Sequence, residues 1–437
     1  MYRVYGALLA LAWAAVLPYQ IVMAILKRLP MPPVRDRLGS LPDGVSPGGF
    51  WVHAVSVGEV RLALRILPEL RRRFPGAAVH LTTGTATGRT LAASGAGAEP
   101  PDSVGALPFD LSSPMGRFLD RLRPRAVLIL ETEIWPNLLR LCAARGTPVL
   151  LANGRISPRS YPRYRALRPF FRHSLQGFTT LGMQSREDAE RIVFLGADPG
   201  RVRVTGNLKF DLEPARADSD GVRRRLGVEA RAPLFVAGST ATGEDGAVLQ
   251  AFRRLREVDP RVRLILAPRH PENFGPAERA ASDAGHAVST WSRMGGPAAP
   301  TPSPWDVLVV DTLGVLPEIY TAADLVFVGG SLARHGGQNV LEPASIAKPV
   351  VFGPHMENSR AASESLVAAG AGFVARDGEE MGRLLVRLLT DRAGYRVASA
   401  MAARVVEANR GALEKTMAMI EEALAPASSP GLRAAHR

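Results

Sequence analysis

Ala126-Val-Leu-Ile-Leu130 is apolar at every position, and an unbroken run of that length suits a strand covered on both faces. Such a strand needs helices above and below it, the arrangement of a parallel α/β sheet. Similar runs recur along the chain. Phe50–Val55, Ala77–Thr82, Pro148–Ala152, Phe178–Leu181 and Val202–Thr205 read as strands of the same series. Pro233–Ala237, Leu264–Ala267, Val307–Val310, Leu325–Val328 and Val350–Phe352 read as a second series. Between the two, Gly206–Gly221 is a break that holds Pro214 and the polar run Ala215–Asp220, which suits an interdomain connection. At 437 residues the chain is too long for one ordinary core. Two facing Rossmann-like halves are therefore expected. After Gly372 the pattern is helical, with Met401, Val406, Leu413 and Met417 as buried positions, and the segment Gly295–Pro304 reads as a mobile excursion. The tail from Ala425 onward reads as frayed.

The formal net charge is +13, supplied almost wholly by arginine. That balance permits nucleic acid, anionic lipid or phosphorylated small molecules as partners. Aromatic residues are few and not interleaved with the basic ones, so a single-strand stacking platform is not indicated. No zinc-finger spacing occurs, and nucleic acid is set aside. The single cysteine, Cys142, lies in the apolar run Leu138-Leu-Arg-Leu-Cys142 and reads as a small buried hydrophobe. A disulfide-stapled secreted fold is excluded.

Gly6–Leu26 carries no formal charge and nearly reaches the ~20 residues that cross a bilayer. Arg3 precedes it; Lys27, Arg28, Arg35 and Arg37 follow, a bias that places the C-terminal side in the cytoplasm. Two readings stand: a spanning helix, weakened by Pro18 and Gln20, or an interfacial helix entering one leaflet. A cleaved signal peptide fits less well, because no small-x-small site ends the stretch.

Ligands of open α/β sheets sit beyond the carboxyl ends of the strands, and the most polar loops of this chain fall there. Ser56-Val-Gly-Glu59 follows the first strand. Its spacing is that of a helix capping box; alternatively Glu59 is a general base, with Gly58 letting a substrate approach the backbone. Thr83 and Thr85 lie in the next loop. Glu131 and Glu133 follow Leu130 two positions apart, so strand alternation would turn one toward a cleft and the other away. Arg269-His270 ends a strand of the second series and offers a guanidinium for phosphate. Phe327–Asn358 reads as a strand ending in glycines, a loop, a helix from about Asn339 with Glu342 in its first turn, and a further strand. Backbone N–H groups there suit an anion, and the carboxylate suits hydroxyls. The histidines lack metal-ligand spacing, no G-x-G-x-x-G opens either half, and Gly84–Gly88 lacks a P-loop lysine. The set fits transfer from a nucleotide sugar: cations and amides for the departing phosphate, a base for the acceptor.

Several blocks carry a closer resemblance. His53-Ala-Val-Ser-Val-Gly-Glu59, Leu130-Glu-Thr-Glu-Ile-Trp-Pro-Asn137, Gly206-Asn-Leu-Lys-Phe-Asp211, Pro268-Arg-His-Pro-Glu272, Phe327-Val-Gly-Gly-Ser331, Gly336-Gly-Gln-Asn-Val-Leu-Glu-Pro343 and Gly353-Pro-His355 occur in order. The chain resembles the 3-deoxy-D-manno-octulosonic acid (Kdo) transferases of lipopolysaccharide synthesis over nearly its whole length. The resemblance implies the GT-B architecture: two facing Rossmann-like domains, a deep interdomain cleft and an N-terminal membrane anchor. The expected divisions are an anchor over 1–30, an acceptor domain over 31–212, a donor domain over 213–405, and a C-terminal helix with tail over 406–437. It further implies inverting, metal-independent transfer from CMP-Kdo to a hydroxyl of a lipid A precursor (lipid IVA), at the cytoplasmic face of the inner membrane. Glu59 falls on the family's catalytic glutamate. Arg269, Ser331, Gly337, Asn339 and Glu342 fall on donor-binding elements, with Ser56, Gly58, Thr83, Thr85, Glu131 and Lys209 as acceptor or cleft residues. No cofactor is implied. The chain departs from the family pattern at Gln338, Ser359, Asn273 and Val315. A GT-B enzyme using another sugar nucleotide and a non-catalytic glycolipid binder remain as alternatives.

Overall fold

The computed structural model describes residues 2–26, 34–42, 44–95, 99–158, 160–211, 214–215, 217–229, 231–294 and 304–425. Lys27 and Arg28, the excursion up to residue 303 and the tail beyond Ala425 lie outside the described residues. The chain divides into two compact units, Met1–Asp211 with Arg410–Arg437, and Leu212–Asn409.

The first unit is built on seven strands: β1 (Phe50–His53), β2 (Val79–Thr82), β3 (Ser103–Gly105), β4 (Ala126–Leu130), β5 (Val149–Gly154), β6 (Thr180–Met183) and β7 (Val202–Val204). They pair in the order β3-β2-β1-β4-β5-β6-β7, all parallel. Every residue of β4 is at most 1 % exposed, as an apolar run predicts for a strand with two covered faces. Phe50, Val52, Ala126, Leu128 and Leu130 pack on one side with Val60, Ala63, Leu67 and Leu70 of the helix Val57–Arg73. Trp51, Val127 and Ile129 pack on the other with Phe118, Leu138 and Cys142. Each such aliphatic side chain contributes roughly 1.5–3 kcal/mol by leaving water.

The last described helix, Ala412–Leu424, belongs to this first unit. Met417 and Ile420 enter its core, the Asp211 carboxylate accepts from the Gly411 and Leu413 N–H groups, and Arg73 pairs with Glu414 and Glu421. The helix Tyr2–Leu26 contains the span Val4–Met23, of mean hydropathy 1.7, long and apolar enough to cross a membrane. Tyr2, Tyr5 and Trp13 form one stripe of it, packed on His173, Phe170 and Phe109. Leu8, Leu11, Val22 and Ile25 are exposed.

The second unit holds β8 (Leu234–Thr240), β9 (Arg263–Pro268), β10 (Val288–Thr290), β11 (Val307–Val309), β12 (Leu325–Val328), β13 (Val350–Phe352) and β14 (Gly372–Val374). Their order is β10-β11-β9-β8-β12-β13-β14, again all parallel. β3, β10 and β14 were not among the expected strands. All three are three-residue edge strands, too short to show an apolar run, and β14 occupies the start of the stretch expected to be helical. Beyond it, Val406 and Met417 are buried as expected, whereas Met401 and Leu413 are only half-buried; Ala398 and Ala402 take the inward positions.

Candidate functional site

In the first sheet the chain leaves β1 toward β2 on one side, and leaves β4 toward β5 on the other. The loops after these two neighbouring strands therefore part, and the gap between them is the usual ligand position. Glu59 stands after β1; Glu131 and Glu133 stand after β4. The Glu59 carboxylate accepts from the Val55 N–H at 2.8 Å and the Ser56 hydroxyl at 2.9 Å, while the Ser56 hydroxyl oxygen accepts from the Glu59 N–H at 3.3 Å. The capping arrangement thus forms, with the carboxylate also taking the Val55 N–H. It leaves the carboxylate held in place on a residue that is 9 % exposed. Burial raises the Glu59 pKa, the Val55 and Ser56 bonds oppose the rise, and the Glu131 charge adds to it.

Strand alternation does not separate Glu131 from Glu133. The strand ends at Leu130, and Glu131 has a left-handed backbone, φ 58°, so the chain turns and both carboxylates act on the same place. Burial, then Glu59, then Glu131 push Glu133 up to about 7. Lys209 Nζ lies 3.9 Å from Glu131 and partly balances the acids. Four residues from three well-separated segments thus form one cluster within the first unit. Lys209 arrives there because Leu208 N–H is held by the Asn153 side chain at 3.0 Å.

The remaining first-unit candidates have supporting positions. Ser56 caps the helix Val57–Arg73. An added Cβ at Gly58 would meet nothing nearer than Ser56 Oγ at 3.7 Å, so the protein's own packing does not demand glycine. Thr83 is buried, its hydroxyl donating to Val55 O at 3.1 Å; it braces the loop from behind. Thr85 is exposed and caps its helix through Gly88 N–H at 3.0 Å. His53 is also buried, within hydrogen-bond distance of the Thr82 hydroxyl at 2.9 Å, and burial lowers its pKa to about 3, keeping the ring neutral.

The second sheet has its parting of loops between β8 and β12. Glu244 joins them, a residue the sequence reading passed over. The helix there starts at Asp245, and Glu244 precedes it without a side-chain cap bond. Its carboxylate, on a residue 1 % exposed, instead accepts from the N–H groups of Ala241 (2.8 Å), Gly330 (2.7 Å), Ser331 (2.8 Å) and Leu332 (2.8 Å). The backbone closes so tightly that a Cβ on Gly329 would lie 2.5 Å from Thr240 Cα. The one available signal was Gly243-Glu244 after a strand, the same placing as Gly58-Glu59.

Ser331 is fully buried. Its hydroxyl donates to Val328 O at 2.6 Å and accepts from Gly353 N–H at 2.8 Å, so it supports the loop and presents no free hydroxyl to solvent. Gly337 has φ 72°, and its N–H meets Gly330 O at 2.6 Å. The helix expected from Asn339 is only Leu341–Ser345, since Asn339 turns the chain by accepting from Leu341 N–H at 3.1 Å. Asn339 Nδ2 donates to Glu342 at 3.1 Å, fixing that carboxylate. Arg269 is half-buried beyond β9, its N–H bonded to Thr240 O at 2.9 Å. Among the described residues no three His, Cys, Asp or Glu side chains gather as a metal site.

A family model described as 3-deoxy-D-manno-octulosonic-acid transferase (kdotransferase) matches residues 33–212. The 3-deoxy-D-manno-octulosonic acid transferase of Bordetella pertussis is 36 % identical over 396 residues, covering 88 % of this chain and 90 % of that protein. The protein of that name from Haemophilus influenzae is 31 % identical over 383 residues, 86 % of this chain and 87 % of its own. Among solved structures, the S. aureus MnaA–UDP co-structure superposes with a TM-score of 0.57 at 13 % identity, covering 86 % of this chain and 97 % of that one; this similarity speaks for the fold alone. The chain belongs to the 3-deoxy-D-manno-octulosonic acid transferase family and is a glycosyltransferase of the two-domain GT-B fold.

Proposed function

We propose that the protein transfers Kdo from CMP-Kdo to a hydroxyl of a lipid A precursor, with inversion and without a metal ion. Glu59 takes the acceptor proton as the acceptor oxygen bonds to the anomeric carbon; the bond from that carbon to the phosphate oxygen breaks, and CMP leaves with the electron pair. Such a base contributes ~10²–10⁴ in rate. The first unit supplies the base and the acceptor contacts, among them Gly58, Thr85, Glu131 and Lys209, while Ser56 and Thr83 brace the loop that carries Glu59. The second supplies the donor grip. Arg269 and the amide at Asn339 hold the phosphate; Gly337, whose own N–H is committed to Gly330 O, shapes the seat together with the Ser331 loop, and Glu342 accepts from the ribose hydroxyls.

The observation that carries this reading is the Glu59 carboxylate, held by two hydrogen bonds at the end of β1 with its pKa raised by burial. A raised pKa makes it a better proton acceptor. The exposed apolar face of the helix Tyr2–Leu26 supports an anchor in the inner membrane, and the Lys27, Arg28, Arg35 and Arg37 bias after it argues for a body on the cytoplasmic side.

The test is incubation of the purified protein with CMP-Kdo and a tetraacylated lipid A precursor, the product mass counting the sugars added. Glu59→Gln should abolish transfer and leave CMP binding intact; retained turnover removes Glu59 from the role of base. Competition by UDP in place of CMP would instead favour another sugar nucleotide.

A further inference from the structure

Arginines gather at the amino ends of β8 and β12, the edge of the second sheet opposite the loops described above. A groove of about 860 Å³ opens there, lined by Arg223, Arg231, Arg261, Arg392 and Arg396 against one acid, Asp324. That acid is already engaged: it pairs with Arg223 at 3.0 Å and accepts from Leu234 N–H at 2.8 Å. Arg261 is held by Asp259 at 2.8 Å. The Arg231, Arg392 and Arg396 side chains make no hydrogen bond or ion pair among the described residues.

Two of these arginines stand where helix physics disfavours them. Arg392 opens the helix Arg392–Ala408, and a cation in a first turn opposes the helix dipole. Arg396 is one turn further on the same face, and like charges at that spacing cost ~0.2–0.5 kcal/mol. An anion between them and Arg231 removes both penalties. Behind the same edge the Lys348 ammonium donates to Ala323 O at 2.6 Å, adding positive potential beneath the groove. The wall is apolar at Leu325 and Leu388, both buried, and carries the half-buried Tyr395 ring. Guanidinium forks match phosphate oxygens in pairs, and the volume is that of a small-molecule site.

We propose that this groove binds a phosphate ester or diphosphate carrying at least two negative charges, at a site separate from the loops at the carboxyl ends of the strands. The ligand's phosphates lie between Arg231, Arg392 and Arg396, and its apolar portion lies against Tyr395. A soluble compound and a lipid headgroup are the two sources of such a phosphate.

Equilibrium dialysis of the full chain with radiolabelled pyrophosphate, in saturating CMP, tests the proposal. Wild-type protein should bind pyrophosphate at submillimolar concentration, and Arg392→Gln/Arg396→Gln should weaken binding about tenfold or more, with an unchanged unfolding midpoint. Arg392→Lys/Arg396→Lys should fall between the two, because it keeps charge and loses the planar fork. Displacement by monomeric short-chain phosphatidic acid, whose headgroup is a phosphomonoester, identifies a headgroup; displacement only by soluble phosphate esters identifies a free ligand. No binding by wild-type protein, or equal affinity in the Gln double variant, overturns the proposal.

Discussion

Replacing Glu244 by glutamine should loosen the loop after β12 without emptying any core volume. Each carboxylate oxygen of Glu244 accepts two backbone N–H groups, from Ala241 and Gly330 on one and from Ser331 and Leu332 on the other. Whichever oxygen becomes the amide NH₂, two N–H donors then face a donor. Hydrogen bonds to a charged group are worth ~1.5–3 kcal/mol each, so the two lost bonds amount to roughly 3–6 kcal/mol before the loop relaxes. A net loss of about 3 kcal/mol is expected, a large share of the ~5–15 kcal/mol that holds a domain together. Amide hydrogen exchange reads the effect locally. A cost of 3 kcal/mol corresponds to roughly a hundredfold faster exchange at Gly330, Ser331 and Leu332, together with a lower urea midpoint. Donor affinity should fall in parallel, since Gly337 N–H is tied to Gly330 O. Unchanged exchange at these three amides, with an unchanged urea midpoint, would refute the assignment of Glu244 as the pin of the loop.

Two further outcomes follow from the same kind of reasoning. Burial and the neighbouring acids push Glu133 from 4.5 up to about 7, so the folded state favours its protonated form, and stability is lost as pH rises from the lower value through the higher. Glu133→Gln should remove that loss: its urea midpoint should exceed the wild-type value at about pH 8 and match it at about pH 4, and a pH-independent difference would sink the coupling. At Gly337 the left-handed backbone costs a non-glycine residue about 1–2 kcal/mol, and a Cβ would also lie 2.9 Å from His355 O and 2.3 Å from Met356 Sδ. Gly337→Ala should therefore destabilise more than Gly370→Ala, whose φ of 70° is similar but whose Cβ meets nothing within 4 Å; equal unfolding midpoints for the two variants would refute the steric part.

What could be read in the sequence was whatever burial imposes on consecutive residues. β4, β12 and β13 lie in sheet interiors, and their apolar runs mark them within a residue of the observed ends. β3, β10 and β14 lie at the edges, where neighbours on one side suffice and three residues carry no period. The site divides the same way. Glu59 was legible because the capping spacing confines it locally, and the structure puts its carboxylate in that local frame. The joint action of Glu131 and Glu133 was not, because alternation holds only while the chain stays extended, and Glu131 at φ 58° ends it. Glu244 was hidden for a different reason. Its partners at 330–332 lie nearly ninety positions away, and they are backbone N–H groups that every residue but proline possesses. A buried carboxylate that organises backbone leaves no compositional trace at its partners. The trace it does leave is the glycine at 329, where a side chain would strike Thr240 and Glu244 itself. Gly329 and Glu244 are thus one device: the glycine lets the loop close onto the strand, and the carboxylate holds it there, so replacing either should expose the same three amides to exchange.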